Sequence, residues 1–338
     1  MSAVARRLRR RGSVEPHPDV VRLTEEDHRY LTSFYDDRVP LPPGAAEELT
    51  SRNPRLRALH SSYSSLNLPV TAASRWNASA VESFLDLRWF RGETLITWHR
   101  RELPRLTALK YFVLLRYVQS RDSLGLLERL DEDGAFGCWT FEYPGHGRVS
   151  RDLIESANEL LFLERTLGLS SRERFSVLDI GAGYGRLAHR AVSAFDRLDD
   201  YCCVDTVPES TFLCEYYLRH RELSPRARVV SLDRVASELA PRSFDVAVNI
   251  HSFPECTYAA VEWWVELLRR LEVPYLMIVP NEPDELLTLE SDGKRRDFRG
   301  LIENAGYRLF VSEPVVEDTA VRELAQLDDR FYLFALED

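Results

Sequence analysis

Paired cysteines, the usual mark of a zinc site or a disulfide framework, are missing from this chain. Its five cysteines show no C-x-x-C spacing, and their number is odd. Both features argue against structural disulfides and against a zinc site. Two of them, Cys202 and Cys203, fall in an apolar run, where cysteine behaves as a small hydrophobic side chain. The five are Cys138, Cys202, Cys203, Cys214 and Cys256.

Long apolar runs and a surplus of positive charge are lacking too. No stretch approaches the length that crosses a bilayer, so we expect a cytoplasmic protein with no membrane partner. The formal net charge of −10 argues against a nucleic-acid partner, because binding to phosphates needs a basic surface. Residues 1–12 are rich in arginine but lead into no apolar segment, which predicts a solvated tail rather than a secretory signal. A small molecule is left as the expected partner.

The length of 338 residues suits two domains, and the sequence changes in character near residue 150. We assign residues 1–149 to a mostly helical N-terminal region and residues 150–338 to an α/β domain. Helical periodicity covers residues 79–90 and 104–119, and the second of these helices is apolar nearly all round. Such a helix is buried against the α/β domain or against a second subunit. The region could therefore form a lid, a ligand-binding element or a homodimer interface.

The most informative segment is 177–187, which reads Val-Leu-Asp-Ile-Gly-Ala-Gly-Tyr-Gly-Arg-Leu. It predicts a buried strand, a glycine-rich turn and the start of a helix, the usual nucleotide site of an open α/β sheet. The dinucleotide fingerprint spaces its glycines G-x-G-x-x-G, whereas here the spacing is G-x-G-x-G. Asp179 precedes the first glycine by two residues, where a carboxylate would repel a diphosphate and attract a cation. The pattern therefore favours a positively charged ligand.

Further strands that end in polar residues follow in order. Residues 201–205 predict a second buried strand ending at Asp205, which lies 24 residues after Gly181. That offset is close to the one at which an acid binds a ribose hydroxyl pair. Residues 228–233 predict a third strand ending at Asp233, and residues 244–250 a fourth that leads to His251. Helical patterns separate these strands, which predicts a doubly wound parallel sheet.

The C-terminal third continues the same pattern. Residues 274–280 predict a fifth strand, and residues 297–304 predict a helix. Residues 307–312 and 330–336 predict the sixth and seventh strands. A helix followed by two strands suits the antiparallel hairpin that closes the sheet of class I methyltransferases.

With these strands and acids in order, the chain resembles a class I S-adenosylmethionine-dependent methyltransferase. More narrowly, it resembles the bacterial sugar O-methyltransferases of natural-product glycosylation pathways, over roughly residues 140–338. The segments that carry the narrower resemblance are 177–187, 203–210, 249–256 with Glu262, Trp263 and Trp264, and 278–282. The resemblance implies a seven-stranded Rossmann-like sheet, S-adenosylmethionine as cofactor and a sugar-bearing acceptor.

The resemblance also implies roles for particular residues. Gly181, Gly183 and Gly185 would lie under the methionine part of the cofactor, and Asp179 near its amino group. Asp205 would bind the ribose hydroxyls and Asp233 the adenine. Asp179 could instead cap the glycine turn, and Asp233 could cap the next helix. The remaining expected cofactor contacts are Ala182, Thr206 and Asn249.

Arg148 follows an aromatic and glycine-rich run, 139–147, just before the α/β domain. Its guanidinium could bind the cofactor carboxylate through two hydrogen bonds. The alternative is a domain linker with buried aromatic residues. Trp263 and Trp264, by contrast, are predicted to belong to a helix core.

Methyl transfer to a sugar hydroxyl requires a base, because the hydroxyl is too weakly acidic to ionise at neutral pH. His251 follows the fourth strand and is our candidate base, with Glu255 orienting it or binding a sugar hydroxyl. The alternative is that His251 only caps the strand end. Mg²⁺ held by Glu255, Asn281, Glu282 and Asp284 is a further possibility. Because Asn249 replaces the usual acid at the end of the fourth strand, we expect no required metal.

Three other functions remain open for this sequence. The acceptor atom could be a nitrogen or a phenol oxygen, which product analysis would distinguish from a sugar hydroxyl. The chain could instead be a catalytically silent partner that keeps the fold, although the intact glycines and Asp205 argue against this. An NAD-dependent dehydrogenase is disfavoured by the glycine spacing and by Asp179.

Overall fold

The computed structural model describes residues 39–72, 75–92, 104–143, 145–281 and 285–337. The arginine-rich segment 1–12 lies outside these ranges. Within them, no helix combines the length and the apolar character needed to span a membrane.

Helices and strands alternate through most of the described chain. The helices are α1 Ala45–Glu48, α2 Pro54–Ser65, α3 Ala78–Phe84, α4 Pro104–Gln119, α5 Leu126–Arg129, α6 Arg151–Leu167, α7 Arg186–Ala194, α8 Pro208–His220, α9 Val235–Glu238, α10 Tyr258–Arg270, α11 Arg299–Asn304 and α12 Thr319–Ala325. The strands are β1 Thr140–Glu142, β2 Arg148–Ser150, β3 Phe175–Ile180, β4 Leu198–Val204, β5 Ala227–Val229, β6 Val246–Ile250, β7 Tyr275–Val279, β8 Tyr307–Pro314 and β9 Arg330–Leu336.

Seven of the strands form one sheet in the order β5-β4-β3-β6-β7-β9-β8. The strands from β5 to β7 pair in parallel, while β9 is antiparallel to both of its neighbours. The chain order reverses between β3 and β6, so this sheet has its topological switch point there. This strand order, with β9 inserted antiparallel between β7 and β8, is the class I methyltransferase fold. The α/β fold class and the terminal hairpin are confirmed.

Alternating residues of the central strands supply the two faces of the sheet. Leu178 and Ile180 belong to one hydrophobic cluster, which includes Trp264 of α10. Val177 and Cys203 belong to the other cluster, which includes much of α6 and α7. This alternation follows from the period-two geometry of strands. It covers both faces of the sheet, as a parallel sheet requires.

Local capping explains where α6 begins and ends. The Ser150 side chain accepts a hydrogen bond from the Leu153 N–H at 3.0 Å, which satisfies one of the free donors of the first turn. Gly168 ends the helix in the left-handed conformation. Both boundaries follow directly from the sequence pattern.

Two predicted elements end at least four residues earlier than expected. The strand predicted over residues 228–233 ends at Val229, because the Leu232 N–H donates to the Tyr63 hydroxyl at 2.9 Å instead of to a neighbouring strand. The helix predicted over residues 79–90 ends at Phe84. Phe90 then stacks on Phe136 with ring centroids 4.7 Å apart. For the strand, the contact with Tyr63 overrides the local pattern.

The N-terminal segment joins the α/β domain through a buried ion cluster. The Arg91 guanidinium donates to Glu132 at 2.8 Å and to Asp152 at 3.1 Å, and the Arg91 and Glu132 side chains are fully buried. Arg190 of α7 donates to the same Glu132 carboxylate at 2.7 Å. The Tyr184 hydroxyl of the glycine turn donates to Asp152. Segment 39–92 therefore packs against the sheet, while the domain boundary at residue 150 stays a prediction.

Replacing Arg91 by methionine tests this cluster. Arg91→Met leaves Glu132 and Asp152 with less compensation in a buried environment, which we expect to cost about 3–5 kcal/mol of unfolding free energy. Urea denaturation followed by circular dichroism measures the loss. Arg174→Met is the control, because its contact to Asp199 is 3.8 Å long and both side chains are exposed. It should stay within about 0.5 kcal/mol of the parent protein. Equal losses in both variants would contradict this role of Arg91.

Candidate active site

The glycine turn after β3 lies at the carboxyl edge of the sheet and packs tightly at both of its ends. Gly181 and Gly185 have φ angles of 74° and 87°, a conformation that other residues rarely adopt. A Cβ on Gly181 would collide with the Ser252 side chain, and one on Gly185 would lie 2.9 Å from the Cys214 Sγ. Glycine is therefore required at both positions by backbone conformation and by space.

Gly183, in the middle of the turn, has a different environment. A Cβ built there meets no described atom within 4 Å, although its φ is also positive, at 57°. Its N–H donates to the Asp205 Oδ2 at 2.9 Å, and the Val207 N–H donates to the Oδ1 at 2.8 Å. The exposed side of Gly183 is thus open for a ligand. Each oxygen of Asp205 keeps one further acceptor position for it.

Two buried acids flank this open side. Burial raises the pKa of Asp205 to about 6 and that of Asp179 to about 7. The Tyr201 hydroxyl donates to the Asp179 Oδ2 at 2.8 Å and partly offsets the effect of burial on that carboxyl. Both acids thus carry a proton more readily than an exposed carboxyl does. A cationic ligand would favour the charged form of both carboxyls, so this pair of acids fits a cation.

Asn249 connects the two halves of the carboxyl edge. It is fully buried at the end of β6, where its amide N–H donates to the Ile180 carbonyl at 2.8 Å. Its Oδ1 accepts from the Phe253 N–H at 2.9 Å. The side chain therefore links the end of β3 to the loop after β6. The direct cofactor contact expected from the sequence stays a prediction.

The other expected cofactor contacts lie at varied positions. Thr206 and Ala182 are half-buried beside Asp205 and Gly181. Asp233 is exposed in a 3-10 turn after β5, and the N-cap position of α9 is Arg234 rather than Asp233. Arg148 is exposed on β2, and its guanidinium donates to the Asp133 carbonyl at 3.0 Å. Their roles in cofactor binding stay predictions.

Tyr63 is a residue of this edge that sequence reasoning missed. Its hydroxyl accepts from the Leu232 N–H and hydrogen-bonds to the Thr211 hydroxyl at 2.9 Å. Burial raises its pKa to about 12, so the hydroxyl stays protonated at neutral pH. Tyr63 comes from α2 and holds the turn that carries Asp233. No local pattern in residues 54–65 points to such a contact.

His251 directly follows β6 and has a left-handed backbone with a φ of 63°. Its N–H donates to the Val279 carbonyl at 2.7 Å, and its Nε2 lies 3.5 Å from the Asp329 Oδ2. A residue other than glycine in this conformation costs about 1–3 kcal/mol, and such residues cluster at functional sites. The side chain is about one third exposed and reaches toward the ends of β7 and β9.

Glu255 lies in a 3-10 turn of the same loop and is held by the N-terminal segment. The Trp76 Nε1 donates to its Oε2 at 2.5 Å, and the Arg75 Nε lies 3.2 Å from its Oε1. The Asn281 amide also donates to this carboxylate, at 3.2 Å. Burial raises the pKa of Glu255. The structure therefore brings Glu255 together with Arg75 and Trp76.

We expected Glu255 to orient His251 or to bind a sugar hydroxyl, and that role stays a prediction. Among the described residues, Asp329 is the acid that pairs with the His251 ring, at 3.5 Å. Asp329 immediately precedes β9. Because β9 is antiparallel, its first residues lie at the carboxyl edge of the parallel strands. That direction was the signal that could have identified Asp329. Of the possible magnesium ligands, Glu282 and Asp284 lie outside the described residues.

No protein-family model and no curated protein sequence matches the chain. Among solved structures it is similar to the [4+2]-cyclase SpnF, at 15% identity and a TM-score of 0.42, over 58% of this chain and 86% of that one. A SAM-dependent methyltransferase from Aquifex aeolicus has 16% identity and a TM-score of 0.39, over 65% and 96%. The mitomycin 7-O-methyltransferase MmcR has 20% identity and a TM-score of 0.38, over 55% and 56%.

At such low identity these similarities concern the fold alone. The assignment rests on the strand order, the antiparallel β9 and the glycine turn at the switch point. Together these define the class I fold of S-adenosylmethionine-dependent methyltransferases.

Two glycine substitutions compare the tightly packed end of the turn with its open middle. Gly181→Ala forces a Cβ into Ser252, whereas Gly183→Ala adds a methyl group only to open space. Both pay the cost of a left-handed alanine, about 1–2 kcal/mol. We expect Gly181→Ala to lose about 1–3 kcal/mol more, because of overpacking. Thermal unfolding of the two variants measures the difference, and equal stabilities would contradict the close contact with Ser252.

Proposed function

We propose that this protein is an S-adenosylmethionine-dependent O-methyltransferase that acts on a sugar hydroxyl in natural-product biosynthesis. The observation that carries the proposal is the pairing, in a class I fold, of an open glycine turn flanked by two acids with an imidazole at the end of β6. The turn and its acids suit a cationic cofactor. The imidazole suits removal of a proton from an acceptor. We expect a small-molecule acceptor and neither a nucleic-acid nor a membrane partner.

The cofactor part of the proposal follows from Gly183, Asp205 and Asp179. S-adenosylmethionine carries a methyl group on a positively charged sulfur. The acceptor oxygen attacks the methyl carbon, and the sulfur leaves as a neutral thioether. The open side of Gly183 allows a ligand to approach the backbone, and Asp205 offers acceptor positions for ribose hydroxyls. Asp179 supplies negative charge for an ammonium group. Asn249 links the loop after β6 to the end of β3, from which this turn begins.

In the chemical part of the proposal, His251 accepts the proton of the acceptor hydroxyl. A sugar hydroxyl becomes acidic only as its bond to carbon forms, so a base within hydrogen-bond reach lowers the barrier. One imidazole nitrogen of His251 faces Asp329, which leaves the other to accept the proton. Alignment of the acceptor oxygen with the methyl group can supply about 7–11 kcal/mol more. The buried contacts of Glu255 with Trp76 and Asn281 would exclude water from the same loop.

The choice of a sugar as acceptor rests on the resemblance of segments 249–256 and 278–282 to the sugar O-methyltransferases. Product analysis by mass spectrometry, with sugar, amine and phenol acceptors, tests that choice. If only nitrogen or phenol acceptors were methylated, the sugar acceptor would be rejected and S-adenosylmethionine would be retained as the cofactor. Failure to bind S-adenosylmethionine in calorimetry would favour a non-catalytic partner.

Cofactor binding should release protons near neutral pH. The free protein holds Asp205 and Asp179 with pKa values of about 6 and about 7. A bound cation favours the carboxylates, so both pKa values should fall and affinity should rise with pH until both acids are ionised. Calorimetry in two buffers of different ionisation enthalpy counts the protons. Asp205→Asn should reduce the number released, and an affinity that does not change with pH would contradict this account.

His251→Asn removes the proposed base with little change in the backbone, because asparagine tolerates the left-handed conformation. We expect turnover to fall about 10²–10⁴-fold, while the affinity for S-adenosylmethionine stays unchanged. Single-turnover methyl transfer with isotopically labelled cofactor measures the chemical step. His60→Asn is the control, since His60 is exposed on α2. Unchanged turnover in His251→Asn would show that His251 only caps the strand.

A further inference from the structure

A small cavity lies beside His251, at the carboxyl edge of the sheet. It is bounded by α4, α6 and the ends of β7 and β9, and its volume is about 20 Å³. That is room for about one water molecule and excludes a sugar. The polar side chains that line it are those of Glu155, Asn158, Glu159, His251 and Asp329. Because a buried water needs several polar partners as well as space, this cavity suits one water.

Glu159 of α6 has one oxygen that lacks a hydrogen-bond partner. The residue is 5% exposed, and its Oε1 accepts from the Arg186 guanidinium at 2.9 Å. Its Oε2 is buried and has no partner among the described residues. A buried carboxylate oxygen without a donor is costly, so this oxygen calls for a hydrogen bond. A water in the adjoining cavity would donate it.

His251 has one ring nitrogen close to an acid of the same cavity. Its Nε2 lies 3.5 Å from the Asp329 Oδ2, and both residues line the cavity. This separation exceeds the usual length of an N–H···O hydrogen bond, about 2.9–3.0 Å. At such a separation a bridging water is the usual partner. A water in the cavity could therefore accept a hydrogen bond from Nε2.

Glu159 also interacts with the acid of the proposed cofactor position. Burial chiefly raises the pKa of Asp179, and the negative charge of Glu159 adds to this, whereas Arg186 opposes it. Glu159 interacts electrostatically with His251 as well. A substitution of Glu159 can thus affect both the cofactor and the base, and its two effects have to be measured separately.

From this arrangement, and resting on the proposed function, we propose that one water in the cavity links His251 to Glu159, which makes Glu159 a positioning residue for the base. The His251 Nε2–H donates to the water, and the water donates to the Glu159 Oε2. This chain, together with Asp329, holds the proton on Nε2 and leaves Nδ1 free to accept one. The acid of the Ser-His-Asp triad fixes the tautomer of its histidine in the same way.

The same chain stabilises the charge that forms during methyl transfer. The acceptor oxygen bonds to the methyl carbon, the carbon–sulfur bond breaks, and the hydroxyl proton passes to Nδ1 of His251. The imidazole then carries a positive charge. The carboxylates of Asp329 and Glu159 stabilise this charge, the second of them through the water. The proton leaves for solvent after the product is released.

Nitrogen-15 NMR of the histidine rings tests the link in the free protein. The spectra distinguish the two neutral tautomers, and the loss of signals in His251→Asn assigns those of His251. We expect mainly the Nε2–H form in the parent protein. In Glu159→Gln the amide oxygen faces Arg186, so the new N–H group replaces Oε2 and reverses the hydrogen bond to the water. The Nδ1–H form should therefore rise about fivefold relative to the Nε2–H form, the effect of about one hydrogen bond.

Single-turnover methyl transfer measures the consequence for the base. Calorimetry first gives the affinity of each variant for S-adenosylmethionine, so that the rates are compared at saturation with the cofactor. Glu159→Gln should then be at least about tenfold slower than the parent protein.

Val279→Ile is the second cavity variant, in case Glu159→Gln does not fold. Val279 lines the cavity, so an added methyl group takes the space of the water and leaves every acid in place. We expect it to raise the Nδ1–H form and to slow methyl transfer in the same direction as Glu159→Gln.

Glu173→Gln is the matched control, since it removes an exposed acid at the amino end of β3. It should change neither the tautomer ratio nor the rate. An unchanged tautomer ratio in both cavity variants would overturn the proposal. A high-resolution crystal structure without a water in hydrogen-bond contact with the Glu159 Oε2 would overturn it too.

The outcome for the proposed function is read separately. A bound water and a shifted tautomer, in a protein that transfers no methyl group, would retain the link and reject the methyltransferase. Methyl transfer that needs His251 but is equally fast in Glu159→Gln and Val279→Ile would retain the function and reject the role of Glu159.

Discussion

The Asn249 amide is the interaction on which the rest of the site depends. Its two hydrogen bonds join the Ile180 carbonyl, at the end of β3, to the Phe253 N–H in the loop after β6. These strands are neighbours in the sheet but far apart in the chain, and the strand order reverses between them. The crevice of an open α/β sheet forms at such a point. Asn249 is fully buried, and its two hydrogen bonds fasten the loop that contains His251 to the end of β3.

Residues that precede the sheet in the chain make contacts that hold parts of the site in place. Tyr63 holds the turn after β5, Trp76 and Arg75 hold Glu255, and Arg91 joins the ion cluster that reaches Tyr184 through Asp152. Each contact ties a different part of the carboxyl edge to segment 39–92. A substitution that breaks one of these contacts would therefore alter the turn after β5, the loop after β6 or the ion cluster at Tyr184 of the glycine turn.

Much of the fold was accessible from local patterns. The helix 104–119 and the strand 330–336 have the predicted bounds, because Pro104 marks the start of the helix and a continuous apolar run marks the strand. Two predicted elements end early, 79–90 at Phe84 and 228–233 at Val229, and the strand ends where Leu232 binds Tyr63. Sequence patterns cannot show such contacts between residues that are distant in the chain. Element boundaries that depend on such contacts were therefore missed.

The sequence by itself determined which residues stand at the carboxyl edge. Parallel strands share one edge, so Gly181, Asp205, Asn249 and His251 had to meet there once each was assigned to a strand end. Only the tertiary structure decided what each side chain contacts: Asp329 pairs with His251, the backbone of the glycine turn donates to Asp205, and Trp76 donates to Glu255. The physical reason is that a hydrogen bond depends on positions within a few tenths of an ångström, and those follow from packing across the whole molecule.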